Sequence, residues 1–230
     1  MSTLGHRQAR EVGRYLDSVF SEEGIHAKDI TLLSSPFLRC VQTSNELLSE
    51  FNKTPGDVAN TVLIKPEYSI FELDCHNAGF HDSLPTMAER KCYFPRLDEN
   101  YQTNFIPALP ESKDEFVDRC AKAIAEVNKQ YTFRPNSAIV LVTHAAGCVA
   151  MAAAAAGLTL QDINAASPCG IYRLTRTIDS GDKWEIDFYG KKGGMNGFTG
   201  HLSDMGEHTI PWNHFGPKDV NNGYTGPPMD

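Results

Sequence analysis

Arg39 occupies a position in the sequence where a positive charge is unfavourable unless it has a negatively charged partner. It follows Ser34-Ser35-Pro36-Phe37-Leu38 in the first turn of a predicted helix, where the helix dipole disfavours positive charge unless an anion lies at the same terminus. Free backbone N–H groups at a helix N-terminus bind phosphate, and a guanidinium adds a planar fork that holds two phosphate oxygens. A solvated or carboxylate-paired arginine fits the position equally well, so Arg39 alone does not decide between these readings.

His144 occupies a comparable position after the apolar run Ala138–Val142. Small residues follow it, and Gly147 among them allows close approach of the backbone to a ligand. A lone histidine here is more often a core residue bonded to the backbone. Because α/β sheets bind ligands beyond the carboxyl ends of their strands, the two positions together predict a shared phosphate pocket. Its members are Arg39, His144 and the backbone of Ala145.

Other reactive patterns are missing from the sequence. No cysteine is followed six residues later by arginine, and no glycine-rich phosphate loop, dinucleotide fingerprint or serine nucleophile elbow occurs. Several His and Asp residues could ligate a metal, but their scatter over polar segments favours ordinary solvated side chains. We therefore predict no metal site and no cofactor; the residues set aside are Asp74, His76, His81, Asp82, His201, His208 and His214.

The helices and strands that position these side chains are predicted from the spacing of apolar residues and from capping residues. Helical spacing predicts four helices: over about 3–20, from Pro36 to Phe51, from Ser112 onward, and over Cys148–Ala156. Ser35 is the predicted cap of the second helix, with Pro36 at its first position. Ser112 and Glu115 form a predicted capping box at the start of the third. Apolar runs predict strands at Ile30–Leu33, Thr61–Ile64, Ala138–Val142, 170–176 and 184–189. Residues 67–111 show no strong period and are predicted to be an insertion, which in compact domains is usually functional.

This order of elements predicts an α/β three-layer sandwich with a mostly parallel sheet and helices on both faces. We expect one domain over 1–190, with 67–111 roofing the pocket. Residues 191–230, rich in Gly, Asn and Pro, are expected to be irregular and to pack on the domain or trail from it.

Composition limits the classes of function. The chain carries 21 basic and 29 acidic residues for a net charge of −8, which argues against a general nucleic-acid binder. No apolar run is long enough to span a membrane, and no signal peptide is evident, so we expect a cytoplasmic protein. The six cysteines form no C-x-x-C pair and are expected to be reduced and mostly buried.

Three segments make the sequence resemble the histidine phosphatase superfamily, the phosphoglycerate-mutase-like group. Leu33–Thr43 (LSSPFLRCVQT) matches the family segment S-x-P-x-x-R-x-x-Q-T, and Ser2–Ala9 (STLGHRQA) is similar to the segment that precedes it. Val142–Ala145 (VTHA) resembles the strand end that carries the second family histidine.

Within this superfamily, the sequence most resembles the phosphatase domain of the Sts/TULA proteins, which also contain ubiquitin-associated and SH3 domains. The matching phrases are RCVQT at Arg39–Thr43, IFE at Ile70–Glu72, and ES followed by FVDRC at Glu111–Cys120.

The resemblance implies roles for the matching residues. A histidine in an R-H-G motif on the first strand would accept the phosphoryl group, Arg39 would hold its oxygens, and His144 would hydrogen-bond and polarise them. Glu72 would act as general acid and then as general base. The chain begins on a helix without an R-H-G motif, so we expect an N-terminally truncated form that lacks the first strand and has little activity. His6-Arg7 lies within the helix and is not assigned the nucleophile role.

The predicted function is therefore a phosphomonoester phosphatase acting through a phosphohistidine, although whether this chain is itself an enzyme stays open. One alternative is a non-catalytic pseudophosphatase module that binds phosphate or protein; a weaker one is a sugar-phosphate mutase. The expected partner is a phosphorylated small molecule or a phosphoprotein, with no nucleic acid or membrane partner and a possible homodimer.

Overall fold

The computed structural model describes residues 1–51, 62–73, 85–131, 134–163, 168–176 and 184–186. The helices in these ranges are α1 (Thr3–Glu22), α2 (Leu38–Leu48), α3 (Met87–Lys91), α4 (Lys113–Gln130) and α5 (Ala145–Ala156). The strands are β1 (Ile30–Ser34), β2 (Ile64–Pro66), β3 (Ala138–Val142), β4 (Leu174–Thr175) and β5 (Glu185–Ile186).

A parallel three-stranded sheet, in the order β2-β1-β3, organises the first of two compact units, which comprises Met1–Phe71, Gly79–Pro107 and Glu126–His144. Ser34, the last residue of β1, is in register with Pro66 of β2 and Val142 of β3. The three strands therefore end side by side. The predicted α/β class with a mostly parallel sheet is confirmed.

Helices α1 and α2 pack against each other through a close approach at Gly13. A Cβ built at Gly13 would lie 2.5 Å from the carbonyl oxygen of Leu47 and 2.9 Å from Cβ of Glu50, so only glycine fits without a shift of backbone. Phe20 and Phe51 meet edge to face with ring centroids 5.7 Å apart. This packing places α2, and with it the Arg39 end of the helix, against α1.

The second unit comprises Glu72–Ala78, Ala108–Ala125 and Ala145–Asp230. The alanine-rich helix α5 packs against a short antiparallel pair, β4 with β5, where Leu174 is opposite Ile186. Its core is built from small and branched side chains, which allow close packing of the helix: Val149, Ala152, Ala153 and Ile163, with Ala145, Leu160, Tyr172 and Ile186 partly buried around them.

Several predicted bounds are wrong by a few residues. The second strand is Ile64–Pro66 rather than Thr61–Ile64, of which Thr61 lies outside the described residues. Helix α5 begins at Ala145 rather than Cys148. Ala145 and Ala146 are strong helix formers and extend the helix toward its N-terminus. The last two strands are shorter than predicted, and residues 187–189 lie outside the described residues.

The predicted start of α2 is also wrong, and the reason matters for the site. The N-cap is Phe37, in extended conformation, rather than Ser35, and Pro36 precedes the helix instead of opening it. The Ser35 hydroxyl is engaged with His144, so it does not cap the helix. Arg39 stays in the first turn, as predicted.

Within 67–111 the structure describes 67–73 and 85–111, and these parts contain regular elements where the sequence predicted none. They contain a 3-10 turn at Tyr68–Ile70 and helix α3, which Thr86 and Glu89 close with a capping box. The expectation for 191–230 lies outside the described residues. The single domain predicted over 1–190 stays a prediction.

Candidate functional site

Strands β1 and β3 end beside each other, and this brings the predicted site residues Arg39 and His144 together. The backbone N–H of Ser35 donates to the carbonyl of Val142 at 2.8 Å, which continues the pairing of β1 with β3 by one step. The next residues along β3 are Thr143 and His144, and the Thr143 hydroxyl donates to the carbonyl of Ile70 at 2.8 Å. His144 therefore leaves the sheet next to the loop that leads into α2.

Arg39 and His144 are in direct contact. Nε and Nη2 of Arg39 lie 3.2 Å and 2.8 Å from Nδ1 of His144. An arginine only donates hydrogen bonds, so Nδ1 must be the unprotonated acceptor. Nε2 then carries the proton and donates it to Oγ of Ser35 at 2.8 Å. From these partners we assign the Nε2–H tautomer to His144.

Burial differs between the two residues of this pair. His144 is only 5% exposed, whereas Arg39 lies at the surface. The structure therefore places an accessible guanidinium in contact with a buried imidazole. A guanidinium can offer an anion a planar fork of donors.

Phe37 packs against the imidazole, and Phe71 packs against Phe37. The ring of Phe37 meets the ring of His144 edge to face at 5.0 Å and lies 4.6 Å from the ring of Phe71. The guanidinium carbon of Arg39 lies 4.5 Å from the centroid of the same Phe37 ring. These rings reduce the access of water, which strengthens the hydrogen bonds of His144. No sequence signal predicted the contact of Phe37 with His144, although Phe37 lies within a motif segment.

Glu72, predicted as the general acid, follows Phe71 in the chain and belongs to the second unit. Its Oε1 accepts a hydrogen bond from the backbone N–H of Leu73 at 3.0 Å. Its carbonyl accepts from Nη2 of Arg119 at 3.2 Å. The main chain at Glu72 is thus held, while its catalytic role stays a prediction. The same is true of Ala145, the first residue of α5.

A buried ion pair, Arg119 with Glu111, holds the main chain at Glu72. Arg119 donates to Glu111 through two parallel bonds, Nε to Oε2 at 2.8 Å and Nη2 to Oε1 at 2.5 Å. Both side chains are about as buried as core residues, and the Arg119 guanidinium also packs over the Phe116 ring. The segment Glu111–Cys120 supported the family resemblance, but no sequence signal linked Arg119 to the carbonyl of Glu72.

Arg90 joins the insertion to the loop before α2. This buried arginine on α3 donates from Nη1 to the carbonyl of Pro36 and from Nε to the carbonyl of Pro85 at 3.0 Å. Burial lowers the pKa of its guanidinium from the ordinary value. A segment of 67–111 therefore contacts the residue just before Phe37. That this segment roofs the pocket stays a prediction.

The buried carboxylate of Glu67 joins two described parts of 67–111 through hydrogen bonds. Glu67, fully buried after β2, accepts hydrogen bonds from the Tyr101 hydroxyl at 2.6 Å, the Thr103 hydroxyl at 2.5 Å and the Ser69 backbone at 2.9 Å. Burial raises the pKa of Tyr101 far above its ordinary value, and the bond to Glu67 raises it further, so the phenol stays a donor. These hydrogen bonds hold the 3-10 turn Tyr68–Ile70, which leads to Phe71.

No group of three potential metal ligands occurs among the described residues. The candidates set aside from the sequence, Asp74, His76, His81, Asp82, His201, His208 and His214, lie outside those residues. The five described cysteines are free thiols, with Cys40 and Cys120 buried and Cys92 exposed. Within the described ranges, no helix has both the length and the apolarity needed to cross a membrane.

Comparison with protein families gives one assignment over most of the chain. The model of the histidine phosphatase superfamily, branch 1, matches residues 1–190. The human ubiquitin-associated and SH3 domain-containing protein A is 27% identical over 151 residues, which is 63% of this chain and 21% of that protein. The chain therefore spans about a fifth of the length of this curated relative.

Two solved structures share the fold. The ecdysone phosphate phosphatase from Bombyx mori, in complex with tungstate, matches with a TM-score of 0.55 at 23% identity, covering 81% of this chain and 70% of its own. A mycobacterial glucosyl-3-phosphoglycerate phosphatase complexed with VO3 matches with a TM-score of 0.50 at 19% identity, covering 81% and 85%.

Proposed function

The chain belongs to the histidine phosphatase superfamily, and from this premise we propose that it is a phosphomonoester phosphatase domain that works through a phosphohistidine. The family predicted from the sequence is confirmed, as is the resemblance to the Sts/TULA proteins. One observation carries the proposal about function. The guanidinium of Arg39 and the imidazole of His144 meet where β1 and β3 end, and this is where an α/β sheet binds its ligand.

In the proposed reaction, Arg39 binds two phosphoryl oxygens and His144 donates a hydrogen bond to another oxygen. A histidine nitrogen attacks phosphorus and the bond to the leaving oxygen breaks, while Glu72 gives that oxygen a proton. Water then attacks the phosphohistidine, the P–N bond breaks, and Glu72 takes the proton from water. The chain's contribution is positioning and charge stabilisation, which dominate phosphoryl transfer.

The accepting histidine belongs, in this proposal, to an R-H-G motif. That triplet does not occur in the 230 residues, and His6 lies on α1 with Nδ1 3.0 Å from Oε1 of Glu46, a contact that suits a structural role. We therefore expect little or no hydrolysis by the 230-residue chain itself. The substrate would be a phosphorylated small molecule or a phosphoprotein.

A second candidate is a non-catalytic module that binds phosphate through the same Arg39 and His144, whose contact does not depend on an accepting histidine. The coding sequence upstream of Met1 separates the two candidates. An in-frame R-H-G segment supports the enzyme, and an in-frame stop codon supports the binding module. Hydrolysis of p-nitrophenyl phosphate by this chain that disappears in His6→Ala would contradict our assignment of His6.

The pocket itself is tested by titrating the chain with tungstate, an oxyanion like those in the structural relatives, in a calorimeter. We expect Arg39→Ala and His144→Ala to weaken binding at least tenfold, because each removes hydrogen bonds to a charged ligand. The control is Arg14→Ala, an exposed arginine on α1 beside Glu50, which removes the same charge. Unchanged affinity in both site variants would refute the pocket.

A further inference from the structure

We propose that Ser35 is a positioning residue for His144. Its hydroxyl accepts the Nε2–H bond and thereby directs Nδ1 toward Arg39 and toward the anion that Arg39 binds. The role of Ser35 in orienting the ring stands on the geometry of the free protein, and only its consequence for anion binding rests on the proposed function.

The geometry places the two ring nitrogens of His144 in different environments. Oγ of Ser35 lies 2.8 Å from Nε2, and Nη2 of Arg39 lies 2.8 Å from Nδ1. Ser35 is fully buried, so water does not compete for its hydroxyl. Phe37 lies against the ring edge to face, which restricts tilting. The ring is therefore held by a hydrogen bond at each nitrogen and by an aromatic neighbour.

A hydroxyl is the group that this position requires. A hydroxyl oxygen accepts a hydrogen bond well, whereas the other nearby acceptor, Sγ of Cys40 at 3.6 Å from Nε2, is a weak one. Replacing Ser35 by alanine removes the hydroxyl acceptor of the buried Nε2–H. Rotation of the imidazole about its last torsion has two broad, nearly equivalent minima, so the ring then loses its preferred orientation.

The orientation has a consequence for anion binding. Nδ1 accepts from Arg39 in the free protein, so it becomes a donor only when Arg39 turns to the anion and Nδ1 gains a proton. His144 is then doubly protonated, with Nδ1–H directed at an anion oxygen and Nε2–H still accepted by Ser35. Without Ser35, one of the two donors of this buried cation has no strong acceptor, which is costly.

The experiment is NMR of the chain labelled with ¹⁵N-histidine, with and without tungstate. In the free wild-type protein we expect His144 to show an unprotonated Nδ1 and a protonated Nε2, and saturating tungstate to move Nδ1 into the protonated range. Ser35→Ala should give a mixture of tautomers in the free protein and bind tungstate about tenfold more weakly. Ser35→Thr, which keeps the hydroxyl, should restore both properties.

The matched control is Ser44→Ala on α2. Ser44 is also fully buried, and its hydroxyl has no hydrogen-bond partner among the described residues, so its loss should leave the His144 signals unchanged. A single Nε2–H tautomer in Ser35→Ala would overturn the proposal. An Nδ1–H tautomer in the free wild-type protein would overturn it even if Ser35→Ala does not fold. Failure of the wild type to bind tungstate would refute the proposed pocket, while the tautomer in the free protein would still decide the role of Ser35.

Discussion

Arg39 donates to His144 through the same N–H groups that would donate to a phosphoryl group. The guanidinium donates twice to Nδ1, and two N–H donors in one plane also match two oxygens of a phosphate. The contact keeps a buried imidazole nitrogen paired, which avoids the cost of an unsatisfied polar group. Ligand binding must therefore exchange one set of hydrogen bonds for another.

The planar fork of Arg39 can be tested separately from its charge. Arg39→Lys keeps the positive charge but replaces five fixed donors with a single ammonium. We expect tungstate affinity to fall about tenfold, which corresponds to the loss of one charge-assisted hydrogen bond. Calorimetric titration measures the change. Wild-type affinity in Arg39→Lys would show that charge alone is sufficient.

At the scale of elements, α2 is the part on which the pocket depends most. Its N-terminal end carries Arg39, its opposite end is packed closely on α1 at Gly13, and the loop before it is held by Arg90. Two independent contacts thus hold the helix that carries the guanidinium. Changes far from the pocket can therefore shift it by moving the helix.

Gly13→Ala is expected to destabilise the protein by about 1–3 kcal/mol, the usual cost of overpacking a tight contact. The added Cβ would lie 2.5 Å from the carbonyl oxygen of Leu47, where backbone must move. Gly5→Ala on the same helix is the control, since its Cβ would meet only side-chain atoms at 3.5 Å or more. Urea unfolding measures both, and equal effects would contradict the close approach.

Glu46 links α2 to α1 and makes that contact dependent on pH. Burial alone would raise the pKa of its carboxyl, but hydrogen bonds from Arg10 and His6 outweigh burial and lower it below the ordinary value. A lowered folded-state pKa means that the carboxylate stabilises the fold above the unfolded-state pKa. That stabilisation is lost as pH falls through the folded-state pKa.

We therefore expect Glu46→Gln to be less stable than the wild type at about pH 7 and the difference to shrink toward about pH 3, below the ordinary carboxyl range. Urea unfolding at a series of pH values measures the difference. The control is Glu22→Gln, an exposed carboxylate on α1 that accepts a bond from Ser18. A constant difference over the whole pH range would refute the role of the charge.

At the scale of the whole molecule, stability depends on a few buried polar contacts as well as on the apolar core. Glu67 and the pair Glu111–Arg119 are charged groups that the fold removes from water and supplies with several hydrogen bonds each. Buried groups of this kind add little net stability when intact, but removing one partner leaves the other charge uncompensated. Loss of one partner is therefore expected to destabilise the segments around Phe71 and Glu72.

Arg119→Ala should accordingly lower the free energy of unfolding by about 3–5 kcal/mol. Lys91→Ala, which breaks an ion pair with Glu99 at the surface, should cost about 0–1 kcal/mol. Chemical denaturation of the two variants makes the comparison. Similar small losses would show that the Glu111–Arg119 pair is not buried as described.

The sequence by itself determined the α/β class and the family, and it singled out Arg39 and His144, which the structure brings into contact. The reason is that helix period, apolar runs and strand-end positions are local signals, and both residues lie at the ends of such signals. Helix α1, strand β1 and strand β3 were predicted to within a few residues for the same reason. The weaker bounds are those of β2, β4 and β5, because two or three paired residues leave almost no period to detect.

Only the tertiary structure decided what surrounds the two site residues. Ser35 was predicted to cap a helix, yet its hydroxyl bonds to a histidine 109 residues away. Arg90 reaches Pro36 across 54 residues, and Arg119 reaches the carbonyl of Glu72 across 47. A side chain's partner across such distances depends on how the strands align and how the loops pack. No local pattern encodes that choice, so the tautomer and the orientation of His144 emerge only when the chain is folded.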